Sequence, residues 1–167
     1  MDKLGFAIIG CGRISYKHVE AILNNHKDAY LAATCDVIKD AAEEKAKEYV
    51  ENAVKLGIVA EVPKVYIDYD QLLNNPEVQV VTIATESGKH AEIAIKAMKR
   101  GKHVIVEKPM ALSAADADEM ISISRKMKVK LCISHQNRFN PSVQKLRQAV
   151  EEGRFGRIIA GNARILW

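Results

Sequence analysis

Three cysteines in 167 residues, Cys11, Cys35 and Cys132, are too few and too unevenly spaced for a disulfide framework. No Cys-x-x-Cys pair is present, and no spacing of His, Cys, Asp or Glu resembles a ligand set, so no metal is expected. Each cysteine lies in or at the end of an apolar run, where a reduced, half-buried thiol is the expectation, and a reducing cytoplasm follows as the expected location. Aromatic residues make up only 5%, which disfavours an aromatic-rich β-sandwich and suits layered α/β packing. Long apolar runs are lacking too. The stretch 4–9 is too short to cross a membrane, leads into a glycine turn and makes no convincing signal peptide, so no membrane partner is expected. The net charge of +4 is spread rather than pooled, and no basic stripe interleaves with aromatics, which argues against a nucleic-acid partner. Lys39, Lys45 and Lys47 alternate with Asp40, Glu43, Glu44 and Glu48, as on a solvated helix face laced with ion pairs.

Apolar residues account for 48% of the chain, enough for a real core in a domain of this size. Short apolar runs alternate with amphipathic stretches. Strands are expected over 4–10, 30–36, 65–67, 78–84, 104–106 and 130–134, and helices over 13–25, 39–56, 70–73, 89–100, 114–128 and 142–152. Gly57 and Gly101 stop two of the helices and Ser113 caps another. The run 78–84, apolar but for Gln79 and Thr82, marks a strand buried on both faces. Such alternation implies βαβ units, hence a Rossmann-type, doubly wound, mostly parallel sheet. Residues 157–167 alternate like one further strand without a downstream partner. The expected division is therefore a dinucleotide-binding domain over 1–140, then a linking helix and the first strand of a second, truncated α+β domain over 141–167.

Gly10-Cys11-Gly12-Arg13-Ile14-Ser15 follows a strand and opens a helix, the setting of a dinucleotide fingerprint. Gly10 permits the tight turn, Gly12 lets backbone approach a pyrophosphate, and Ser15 is small enough for close helix packing. The amides at Arg13 and Ile14 open the helix, where a positive dipole end meets phosphate. Asp36 ends the second strand about 20 residues on, where a carboxylate accepts from ribose hydroxyls and repels a 2′-phosphate. That favours NAD over NADP. Capping of the 39–56 helix is a second role open to Asp36. Glu107-Lys108-Pro109 follows the strand at 104–106, at the carboxyl end where open α/β sheets place ligands. Pro109 holds Lys108 extended, and a cis bond between them would sharpen its aim. A crevice lysine can exchange a proton with a substrate hydroxyl, and an ordinary surface Glu-Lys pair is the alternative.

Three stretches taken together, 10–15, then Ile83-Ala84-Thr85 with His90, then Gly101 to Ala111 through Glu107-Lys108-Pro109, resemble the glucose–fructose oxidoreductase/inositol dehydrogenase family over essentially the whole chain. The resemblance implies an NAD-dependent oxidoreductase acting on a CH-OH group of a sugar or nucleotide sugar. It implies that Lys108 lies by the nicotinamide and the reacting hydroxyl, with Glu107 as a neighbour. It places Thr85 and His90 along the cofactor; for His90, a capping or core histidine is the other reading. Ser134 to Pro141 resembles the family's turn at the entry to the second domain, where Gln136 and Arg138 are candidates for polar contacts, or Arg138 for a salt bridge fixing the junction. Two departures stand out. Glu86-Ser87 replaces the frequent Pro-Asn after the threonine, and the family's Asp-x-x-x-His element, which supplies the general base, is absent. Within the family the chain most resembles members acting on nucleotide-linked amino sugars, such as UDP-N-acetylglucosaminuronate 3-dehydrogenases, through 135–138 and 151–156. The resemblance further implies a homo-oligomeric full-length protein, with turnover dependent on the second domain. Alternatives are a non-catalytic NAD-responsive regulator, as the family's galactose-pathway repressor is, or a reductase of a non-sugar substrate.

Overall fold

A computed structural model describes residues 3–164. The apolar alternation in the first strand dictates the layering. In β1 (Leu4–Ile9), Ala7 and Ile9 face one core while Phe6 and Ile8 face another, so both faces of the sheet must be covered. The order along the chain is β1, α1 (Ser15–Asn24), β2 (Ala29–Cys35), α2 (Lys39–Lys55), β3 (Lys64–Tyr66), α3 (Tyr69–Leu72), β4 (Val80–Ile83), α4 (His90–Lys99), β5 (His103–Glu107), α5 (Ala114–Lys126), β6 (Leu131–Ser134) and α6 (Pro141–Glu151). On one face α3, α4 and α5 pack through Leu72, Ile93, Ala94, Ala97, Met98 and Met120. On the other, α1 and α2 pack through Val19, Ile22, Leu23, Ala42, Tyr49 and Ala53. Burying a side chain such as Ile83 or Ile93 contributes about 1.5–3 kcal/mol, which is why β4 is buried along its whole length.

The sheet has six strands in the order β3-β2-β1-β4-β5-β6, and every pairing is parallel. This is the doubly wound Rossmann-type architecture expected from the sequence. The strand order reverses between β1 and β4, and open α/β sheets bind ligands at that point, beyond the carboxyl ends of the strands. The register pairs Ile9 with both Cys35 and Ile83, and Ile83 with Val106. The loops starting at Gly10, Asp36, Ala84 and Lys108 therefore leave the sheet in one row.

Compact units run up to Ser134 and from His135 onward. The second holds a short 3-10 helix, Gln136–Phe139, and α6, which Pro141 opens at its first turn. The strand expected over 157–167 is not formed over 157–164, and the rest of it lies outside the described residues. An extended segment becomes a strand only by sharing a hydrogen-bond ladder, and among the described residues no strand pairs with it. Helix ends differ by one or two residues, most at two of them. Helix α1 starts at Ser15 rather than residue 13 because the glycine loop occupies the preceding positions, and α5 stops at Lys126 because Lys128 turns left-handed, with φ of 55°. No helix among the described residues is long and apolar enough to cross a membrane.

Candidate dinucleotide site

The loop after β1 is built around two glycines with opposite surroundings. Gly10 has φ of +92°, and a Cβ there would lie 2.6 Å from the Thr85 amide nitrogen and from the Ala84 carbonyl carbon. Only glycine permits that turn against the end of β4. At Gly12 a Cβ would meet nothing within 4 Å. Its freedom from neighbours leaves the backbone open to a ligand. Ser15, fully buried, donates its hydroxyl to the Gly12 carbonyl at 2.6 Å and so fastens the loop to α1. No side chain caps α1. The amides of Arg13 and Ile14, just ahead of its first residue, fit the dipole and donor set that phosphate requires.

Asp36 follows β2 directly. One of its oxygens, Oδ2, accepts from the Cys11 amide at 2.8 Å, and Oδ1 accepts from the Ile38 amide at 2.9 Å. It does not cap α2, whose N-cap residue is Ile38 and which has no side-chain cap. The carboxylate instead latches the glycine loop to the end of β2. Gly10, Gly12, Asp36 and Thr85 together line a cleft of about 310 Å³, completed by Val37, Ile67, Tyr69 and Glu86. A larger hollow of about 490 Å³ lies at the opposite ends of the strands, among Lys3, Tyr30, Tyr49 and Lys64, and holds none of the motif residues. Its size does not make it the site, since the donors and the glycine loop lie at the other end.

Burial accounts for the behaviour of the loop thiol. Desolvation first, and the Asp36 charge second, push Cys11 up to about 12. Cys35 is pushed to about 12 by burial, then by Cys11 and Asp36. Both are neutral packing groups. Cys132 is exposed.

Glu107, the last residue of β5, is only 6% exposed, and its Oε1 lies 3.1 Å from Nε2 of His18 on α1. The ring N–H is not aimed along that line, so the contact is an electrostatic one at hydrogen-bond distance rather than an aligned bond. Burial pulls the His18 pKa below its ordinary value and Glu107 opposes that shift. Lys108 is exposed, and its bond to Pro109 is cis. His90 starts α4 and is 1% exposed. Its Nδ1 lies 2.8 Å from the Pro109 carbonyl oxygen and its Nε2 3.1 Å from that of Thr85. It is a core histidine engaged by two carbonyls. Gln136 and Arg138 lie on the 3-10 helix of the second unit, both exposed.

The structure thus gathers Gly10, Gly12, Asp36 and Thr85 around one cleft and sets Glu107 and Lys108 at the end of β5, with His90 at the start of α4 against the Pro109 carbonyl. Sequence reading missed His18. The available signal was helical spacing: His18 is a polar residue three positions after buried Ser15, beside the buried stripe of Val19 and Ile22.

Residues 4–135 match the GFO/IDH/MocA model, an oxidoreductase family with an NAD-binding Rossmann fold. This chain belongs to that family. It is 37% identical over 150 residues to the myo-inositol 2-dehydrogenase of Thermotoga maritima, an alignment covering 90% of this chain and 41% of that enzyme. Among solved structures it resembles the WlbA dehydrogenase of Bordetella pertussis in complex with NADH and UDP-GlcNAcA, at 32% identity and a TM-score of 0.78, covering 93% of this chain and 44% of that one. The scyllo-inositol dehydrogenase of Lactobacillus casei, solved with NAD(H) and scyllo-inositol, shares the fold, with a TM-score of 0.78 at 24% identity over 93% of this chain and 43% of that one. The chain spans about two fifths of the length of the curated relatives it matches. It carries the family's NAD-binding Rossmann fold.

Proposed function

We propose that the chain is the cofactor-binding part of an enzyme that moves a hydride between a ring hydroxyl of a sugar or nucleotide sugar and NAD. The observation that carries this reading is the cleft at the switch point, where Gly12 leaves open backbone beside an uncapped helix start and Asp36 stands at the end of the next strand. The amides following Gly12, those of Arg13 and Ile14, hold the pyrophosphate. Asp36 accepts from the adenosine ribose and disfavours a 2′-phosphate, which makes NAD the cofactor rather than NADP. Val37 and Ile67 offer an apolar wall beside it. Thr85 and Glu107 line the nicotinamide end, and His90 supports that end from beneath. Bound NAD supplies the hydride-accepting carbon of its nicotinamide ring. Lys108 binds the reacting hydroxyl and helps it lose its proton.

The substrate class rests on relatives. Enzymes named for inositol and a solved dehydrogenase holding UDP-GlcNAcA bracket it as a polyol or nucleotide-linked sugar. Gln136 and Arg138 supply polar contacts near the boundary, drawn at residue 140, between this domain and a following one that brings the general base, most substrate contacts and a homo-oligomeric interface. The enzyme works in the cytoplasm.

Calorimetric titration of the chain with NAD and with NADP tests the reading. NAD should bind more tightly, Asp36→Ala should weaken it about tenfold or more, about 1.4 kcal/mol, and Lys108→Met should bind NAD within about threefold of the parent, or about 0.65 kcal/mol. A folded chain that binds neither dinucleotide, or prefers NADP, would count against it.

A further inference from the structure

The lysine assigned above to the reacting hydroxyl sits between two residues that each face a histidine largely withdrawn from solvent. Before it, Glu107 faces His18 across 3.1 Å, and His18 belongs to α1, the helix that starts behind the glycine loop. After it, the Pro109 carbonyl faces Nδ1 of His90 at 2.8 Å, while the other ring nitrogen of His90 faces the Thr85 carbonyl at 3.1 Å. A neutral imidazole donates from one ring nitrogen only, and the shorter contact, from Nδ1, directs that proton to the Pro109 carbonyl. Lys108 itself is exposed. Its side chain has rotamer freedom to lose, and its backbone is the part the fold can fix.

We propose that His18 and His90 are positioning residues for Lys108, His18 by holding Glu107 and His90 by holding the Pro109 carbonyl, so that the lysine takes its place relative to the helix that carries the dinucleotide loop. The inference rests on the reading of Lys108 given above. Two features single out His18. A histidine with its side chain 12% exposed is costly to keep beside a sheet unless it meets a partner, and Glu107 is itself a buried carboxylate that needs one. The pair also spans two elements far apart in sequence: α1 is shared with the pyrophosphate loop and β5 with the lysine. A displacement of about 1 Å in a reacting group costs on the order of a hundredfold in rate, so holding the turn from both sides bears directly on turnover.

The test reads the position of Lys108 rather than activity. The lysines of the 167-residue chain are reductively methylated with ¹³C-formaldehyde, the Lys108 resonance is identified by its loss in Lys108→Arg, and spectra are recorded with and without NAD. His18→Gln keeps a donor near the place of Nε2, and His18→Met keeps the apolar volume without one. The expected result is that the Met variant moves the Lys108 resonance toward those of the freely exposed lysines, that the Gln variant restores it, and that both bind NAD within about threefold of the parent. His26→Ala, at a histidine outside the site, should leave the resonance in place. If the Met variant does not fold, His18→Asn, whose amide is too short to reach Glu107, replaces it and should move the resonance in the same direction. A Lys108 resonance unmoved by loss of the His18 donor in a folded chain overturns the proposal, as does failure of Gln to restore it. Turnover by Lys108→Met in the full-length enzyme judges the lysine's chemical role separately, because the resonance reports where the side chain sits and not what it does.

Discussion

The glycine loop shows how one residue type serves two purposes at neighbouring positions. Gly10 is packed against the backbone of β4's exit, whereas Gly12 faces open space. Substitution should therefore separate folding from binding. Gly10→Ala forces a side chain into the left-handed region and onto the Ala84–Thr85 backbone, and is expected to cost about 2–4 kcal/mol, read by denaturant unfolding. Gly12→Ala should leave stability within about 0.5 kcal/mol and lower NAD affinity about tenfold or more, read by calorimetry. A second prediction concerns His18, whose folded pKa is depressed, chiefly by burial against the opposing pull of Glu107. A depressed histidine favours the neutral form in the fold, so the unfolded chain binds more protons on acidification. Its contribution is full above the ordinary value of about 6.5 and is lost as pH falls from there through the folded value. The Tm measured across this window should drop less steeply for His18→Gln than for the parent. Glu92, held near 2 by Tyr69, Lys89 and Lys96, becomes protonated in stronger acid.

At the scale of elements, local chemistry and periodicity coincide. Ser113 accepts from the Asp116 amide at 3.1 Å and donates to the Asp116 carboxylate at 2.8 Å, closing the start of α5. Ser113→Ala should cost about 1 kcal/mol, with the loss visible as faster amide exchange in the first turn of α5. This cap was legible in the sequence, as was the succession of six strands and their helices along the chain, because each apolar run is short, each is bounded by turn residues, and the run Val80–Ile83 is broken by Thr82 alone. The fingerprint glycines and Asp36 were legible for the same reason, since strand, loop and helix fall in order around them. What could not be read was tertiary. The latch from Asp36 to the Cys11 amide joins residues 25 apart, His18 meets Glu107 from another element, and His90 bridges two loops. A single sequence shows such residues as polar positions without saying which partners the topology brings them. The strand expected over 157–167 marks the same limit, since alternation gives a face but not a neighbour with which to pair.

For the whole molecule, a site built from four strand ends couples ligand binding to folding. NAD bound only by the native state should raise stability by about 2.7 kcal/mol at a hundredfold excess over its Kd. For a chain of this size that corresponds to roughly 5–10 °C in Tm, and NADP at the same concentration should give a smaller rise. Equal shifts from both would contradict the role given to Asp36. The carboxylate that would discriminate between the two dinucleotides also ties two backbone segments together, through the amides of Cys11 and Ile38. Cofactor preference is thereby entrenched. Exchanging Asp36 for a small neutral residue removes the repulsion toward a 2′-phosphate but loosens the loop that any dinucleotide needs. A redesign toward the phosphorylated cofactor has its better starting points at exposed Val37 and Ile38, where a cation can be introduced while the joint is left intact.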